Sequence, residues 1–186
     1  MMPSIALLLF MKSIPDRIVE GARGQLAWGT TYDNRYVKIA YPLGDVPRKI
    51  GVCTDVVVRA YRHAGYDLQV LIHKDMVAAW KSYPRYAGNS KPDTNIDHRR
   101  VPNQRVFFRR HGKNLTTLVS AQTQSAWQPG DIVTWKLDNG LDHTGVLSDK
   151  RDSRGWPYVI HNLGTPLEED VLTSWKITGH YRYPAR

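Results

Sequence analysis

Gly51-Val52-Cys53-Thr54-Asp55-Val56-Val57-Val58-Arg59-Ala60-Tyr61 holds the only cysteine in a chain of 186 residues. Cys53, Val56, Val57, Ala60, Tyr61 and Ala64 recur three and four apart, which predicts an amphipathic helix beginning at Cys53 and ending at Gly65. A thiol at a helix N-terminus faces unpaired backbone N–H groups and the positive end of the dipole, and both favour thiolate. The same N–H groups can hold an oxyanion formed on an attacked carbonyl. Asp55 falls in the first turn, where an acid satisfies helix N–H groups.

Upstream, Ser13-Ile14-Pro15-Asp16 reads as a helix start, and Ile14, Ile18, Ala22 and Leu26 put one stripe on the core before Gly29 closes the helix. Residues 30–51 are irregular and include Tyr32; a loop of this length in a compact domain is more often functional than idle. Downstream, a helical pattern from Leu68 to Tyr83 stops at Pro84. A polar loop to Pro102 follows, and then a short helix from Gln104 to His111 with Asn103 as its cap.

The pattern then changes period. Asp131–Trp135, His143–Leu147, Tyr158–His161 and Ile177–Tyr183 read as strands, with Asp138-Asn139-Gly140 as a hairpin signal. Helices first and a meander afterwards imply an α+β domain, with N-terminal helices packed on a C-terminal antiparallel sheet. The length suits a single domain over residues 13–186. Residues 1–12 read as a signal-peptide remnant or a packing segment. The apolar run Ile5–Phe10 is too short to span a bilayer, and it lacks a preceding basic residue and a clear cleavage site.

A nucleophilic cysteine needs a base, usually His, oriented by a third polar group. Of seven histidines, His63, His73 and His111 fall on helices among charged neighbours, as solvated surface groups would. His143 and His161 sit near strand ends beside small residues, where adjacent antiparallel strands can bring them together. Asn162 competes with His161, since successive strand residues point to opposite faces; His161 is the favoured partner. In Asn95-Ile96-Asp97-His98-Arg99-Arg100, an Arg fork can take a substrate carboxylate, or Asp97 can tie the loop to a neighbouring Arg. His98 and Arg99 are therefore candidate site-lining residues, together with Tyr32, Asp55 and Asn162.

The formal charge of +9 and pI near 9.7 predict attraction to an anionic partner. Residues 97–113 carry a local excess of basic side chains, for which a solvated helix face is the commoner explanation. One cysteine excludes an intramolecular disulfide and a multi-thiolate metal site. No zinc motif, phosphate loop or dinucleotide fingerprint occurs, so neither a metal nor a cofactor is expected.

Seven segments, in order, carry a resemblance: Tyr41–Pro47, Gly51–Val57, Pro92–Asn103, Pro129–Trp135, His143-Thr144-Gly145, Val159–Asn162 and Ile177–Tyr183. Their arrangement resembles the YijF-type family of bacterial domains of unknown function, related to NlpC-type cell-wall cysteine peptidases of papain-like fold. The resemblance implies Cys53 as nucleophile, His143 as general base and His161 as the residue orienting it. Tyr32 is similar to a tyrosine that lines the site in the NlpC-type group. The implied substrate is an amide in peptidoglycan peptide, and the implied location is periplasmic or secreted, although the incomplete signal-like segment leaves a cytoplasmic location open. A monomer is expected. The departure is Cys53-Thr54-Asp55 where better-known peptidases carry Cys-Ser-Gly, which unsettles the substrate more than the fold. The alternative is a non-catalytic basic module holding an anionic envelope polymer; nucleic acid is not expected as a partner.

Overall fold

Helix α1 (Ile14–Arg23) begins as its sequence predicts, because Ser13 and Asp16 cap one another: Asp16 N–H donates to Ser13 Oγ and Ser13 N–H to Asp16 Oδ2. The computed structural model describes residues 12–86 and 90–185, so the N-terminal apolar run Ile5–Phe10 lies outside the described residues. A 3-10 turn over Gly24–Trp28 continues α1, and Gly29 ends it at φ 61, a left-handed conformation that glycine adopts without penalty. The loop that follows is mostly irregular, but its two ends meet as β1 (Thr31–Tyr32) and β2 (Ile50–Gly51), paired parallel.

Helix α2 (Cys53–His63) follows at once. An amphipathic helix was expected, yet every residue from Cys53 to Tyr61 is buried, including Thr54, Asp55 and Arg59. Loop segments cover its polar side: Arg59 is held by Asp45, and Thr54 Oγ1 donates to the Arg99 carbonyl. Helix α3 (Leu68–Ala78) is shorter than its pattern, giving way to a 3-10 turn at Trp80–Ser82. Helix α4 (Val101–His111) starts before Gln104, with Pro102 in its first turn and Arg100 at the cap position. Asn103 is therefore inside the helix rather than its cap, and its amide donates to the Asp97 carbonyl.

The sheet comprises β3 (Lys113–Asn114), β4 (Ile132–Lys136), β5 (Asp142–Arg151), β6 (Pro157–Asn162), β7 (Pro166–Glu169) and β8 (Lys176–Arg182). Among the described residues it is six-stranded and antiparallel, ordered β3-β8-β4-β5-β6-β7. The expected α+β architecture is thus present, with β3 and β7 added at its edges. Ile132, Val146, Ile160 and Tyr181 pack beneath α1 and α2. Val133, Trp135, Leu147 and Val159 face the other way, onto Trp127 and Leu172. Strand residues are consequently apolar on both faces, which is why their alternation is shallow in the sequence.

One irregularity positions the site. The ladder between β5 and β6 ends at the pair Gly145↔His161, so Asp142, His143 and Thr144 stay paired with β4 but have no ladder partner on β6. The start of α2 and the β1–β2 pair occupy that gap: Asn162 Nδ2 donates to the Gly51 carbonyl, and Tyr32 N–H to the Gly164 carbonyl. Among the described residues no helix is long and apolar enough to cross a membrane.

Candidate active site

Cys53 is the first residue of α2 and is 4% exposed. Its thiol is approached by the backbone N–H groups of Thr144, Thr54 and Cys53 itself. Two of these are the orphan donors of the helix N-terminus, and the third belongs to the overhanging end of β5. Burial nevertheless dominates and pushes the thiol up to about 12; the three N–H groups pull it down, and Asp55 adds to the rise. Desolvation therefore outweighs the helix terminus, and the resting group is a neutral thiol rather than the thiolate expected from sequence.

Asp55 and Arg99 fix this helix start. Asp55 Oδ2 accepts from Val52 N–H at 2.7 Å, returning to the helix entrance as a first-turn acid should. Arg99 closes on it with a two-pronged pair, Nε to Oδ1 at 2.7 Å and Nη2 to Oδ2 at 2.9 Å, both side chains being buried. This pairing is neither a substrate contact nor a tie to Asp97: Arg99 is held by an acid 44 residues upstream. Asp97 instead accepts the Asp93 N–H, within its own loop.

An open cleft of about 280 Å³ lies over Cys53, with Tyr32, Thr54, Tyr86, Arg99 and Asp142 among its walls. Tyr32 is 43% exposed, and burial together with the nearby Cys53 and Asp55 raises its hydroxyl above the ordinary tyrosine value. Larger clefts beside α1 are lined by none of these residues. His98 does not reach the Cys53 cleft; it is buried, its carbonyl accepts from Gln104 Nε2, and burial lowers its ring to about 4.

His143 and His161 meet. Register places His161 opposite Gly145, and His143 Nε2 lies 2.9 Å from His161 Nδ1. A Cβ at residue 145 would stand 2.6 Å from Val159 Cγ1 and 3.1 Å from His161 Cβ, so only glycine lets β6 come this close. His143 stacks on Trp135, its register partner across β4, and Trp175 stands edge-on to both imidazoles. Burial, then the neighbouring His161, takes His143 down to about 3; burial also lowers His161, against the pull of Glu169. Asn162 points to the other face and binds Gly51, so His161 is the residue that contacts His143. Among the described residues, no hydrogen bond joins the thiol to the His143 ring. The two are linked through one residue of strand, since Sγ meets the N–H of Thr144.

Three contributors escape a sequence reading. Glu169 on β7 hydrogen-bonds His161 Nε2 at 3.0 Å, Trp175 encloses the pair, and Thr144 offers a main-chain N–H. Only strand pairing across β5, β6 and β7 assembles them, and Pro166-Leu167-Glu168-Glu169 carries no strong strand signal of its own. Among the described residues there is no cluster of His, Cys, Asp and Glu suited to a metal ion.

A family described as "Domain of unknown function (DUF1287)" matches residues 19–183. The chain belongs to this family. It is also 50% identical over 167 residues to a protein of Escherichia coli (strain K12) named "Uncharacterized protein YijF", a match covering 89% of this chain and 80% of that relative. Cys53, His143, His161 and Glu169 all fall within the DUF1287 span, as do the β5–β6 overhang and the Asp55–Arg99 clamp.

Proposed function

We propose that the protein is a thiol hydrolase that cleaves an amide bond in bacterial cell-wall peptide, with Cys53 as nucleophile and His143 as base. The observation that carries this reading is the meeting of two structures at one point. A helix N-terminus presents a thiol among three backbone N–H groups, and the strand end it abuts begins a buried His143–His161 pair.

His143 Nε2 is engaged by His161, which leaves Nδ1 as the nitrogen for the thiol proton. Both groups rest neutral, so attack is general-base catalysed: Sγ bonds to the carbonyl carbon as its proton passes to Nδ1. The oxyanion is stabilised by main-chain N–H groups at the start of α2. The imidazolium then gives its proton to the leaving amine and the C–N bond breaks; water, deprotonated by the same ring, attacks the thioester carbon, the C–S bond breaks, and the ring returns its proton to sulfur. The net positive charge suits an anionic envelope, and a papain-like relationship to NlpC-type peptidases and a periplasmic or secreted location belong to the same proposal.

Cys53→Ala should abolish release of new amino groups from purified peptidoglycan while leaving the thermal midpoint nearly unchanged, because the exchange removes one small buried atom. Full activity in that variant sinks the proposal. A second reading has one observation in its favour, the deep burial of an unactivated thiol: a non-catalytic module binding an anionic envelope polymer. It predicts peptidoglycan binding, equal in wild type and Cys53→Ala, with no release of amino groups by either.

A further inference from the structure

The proposed base works only if its proton sits on the correct nitrogen. A neutral imidazole carries one N–H and one lone pair, and a neighbour's hydrogen bond decides which nitrogen has which. His143 Nε2 and His161 Nδ1 are 2.9 Å apart, so one of these atoms donates and the other accepts. Nothing within the pair breaks that tie. If His161 donated from Nδ1, then His143 would hold its lone pair on Nε2 and its proton on Nδ1, where no thiol proton could be received.

Glu169 breaks the tie. Its Oε2 lies 3.0 Å from His161 Nε2, on the side of that ring away from His143. An ionised carboxylate only accepts hydrogen bonds, so it selects the Nε2–H form of His161. The lone pair of His161 is then on Nδ1 and accepts from His143 Nε2–H. His143 Nδ1 is left bare.

We propose that Glu169 is the positioning residue of this site: by fixing the tautomer of His161 it fixes that of His143, two hydrogen bonds away, and so makes Nδ1 of His143 the base. The geometry adds a second contribution of the same group. His143 and His161 are buried, whereas the Glu169 side chain is 43% exposed, so the row leads from an enclosed ring to solvent. When His143 becomes imidazolium, Glu169 is the acid at the far end of its hydrogen-bond chain, and its charge offsets the new one. Glu169 touches no reacting atom and acts only through His161.

The role of Glu169 rests on the hydrolase proposal, but the tautomers can be read without it. In uniformly 15N-labelled protein at pH 7 and without substrate, two- and three-bond 1H–15N correlations should show His143 and His161 both protonated at Nε2. In Glu169→Leu, which removes the acceptor and keeps the bulk, His143 should shift towards a mixture of tautomers. Glu169→Gln retains an acceptor oxygen and should hold the wild-type pattern more closely. A proton on Nδ1 of either ring in the wild type overturns the proposal, and so do unchanged tautomers in Glu169→Leu. Where hydrolysis is measured, kcat should fall in the order wild type, Gln, Leu, by roughly tenfold or more at the last step, with KM little changed. That loss stays below the ~10²–10⁴-fold that a whole general base supplies. If the tautomers are as stated and no variant hydrolyses peptidoglycan, the hydrolase proposal fails and the assignment of Glu169 stands.

Discussion

Cys53 shows how a helix N-terminus can lose to burial. Three backbone N–H groups favour its ionised form, yet enclosure between α2 and β5 pushes the thiol up to about 12. The two effects have opposite signs, and the larger one comes from packing that lies far apart in sequence. Alkylation reads the balance directly. With iodoacetamide, Cys53 should react slowly and ever faster from pH 6 to pH 9, without the plateau of an ordinary thiol near pH ~8.5. A plateau reached well below that value would show a preformed thiolate and would replace the general-base step with an ion pair.

At the scale of elements, the first turn of α2 depends on one buried ion pair. Asp55 satisfies the Val52 N–H and is in turn neutralised by Arg99, whose side chain is 2% exposed. Removing one partner of such a pair leaves a buried charge without compensation, which costs about 3–5 kcal/mol. Arg99→Ala should therefore lower the urea-unfolding free energy by about that amount. The double variant Asp55→Asn with Arg99→Ala should recover part of the loss, since the stranded carboxylate is gone. Equal stability of Arg99→Ala and wild type would remove Arg99 from the structural role and return it to the cleft as a ligand-binding group.

Across the whole molecule, buried neutral histidines make stability depend on pH. His98 and His143 are lowered by burial to about 4 and about 3, whereas unfolded histidine titrates near ~6.5. Below that value the unfolded chain binds protons that the folded chain refuses, so stability is fully present above about pH 6.5 and is lost as pH falls towards the folded values. Each ring contributes up to about 1.4 kcal/mol per pH unit. Urea unfolding at pH 7 and pH 5 should differ by a few kcal/mol, and His98→Gln should flatten the slope; a level profile in the wild type would contradict the burial of both rings. Charge, too, looks different in three dimensions. Of the arginines in residues 97–113, Arg99 pairs with Asp55, Arg105 with Asp142 and Arg110 with Asp75, so much of that basic cluster is offset within the molecule.

Local features were legible in the sequence because their causes are local. The Ser13–Asp16 cap, the stop at Gly29, the start of α2 at Cys53, the hairpin at Asn139-Gly140 and the strands bearing His143 and His161 each follow from residues a few positions apart. Family membership and the α+β order of elements were legible for the same reason, since motif order survives without coordinates. What depended on tertiary structure was every property summed over distant parts of the chain. It wrapped the polar side of α2, gave Arg99 to Asp55, ended the β5–β6 ladder beside the thiol, and brought Glu169 to His161 through a strand with little signal of its own. Desolvation and hydrogen-bond partnership belong to the folded surroundings, so whether Cys53 rests as thiol or thiolate is decided only once α2 is packed against β5.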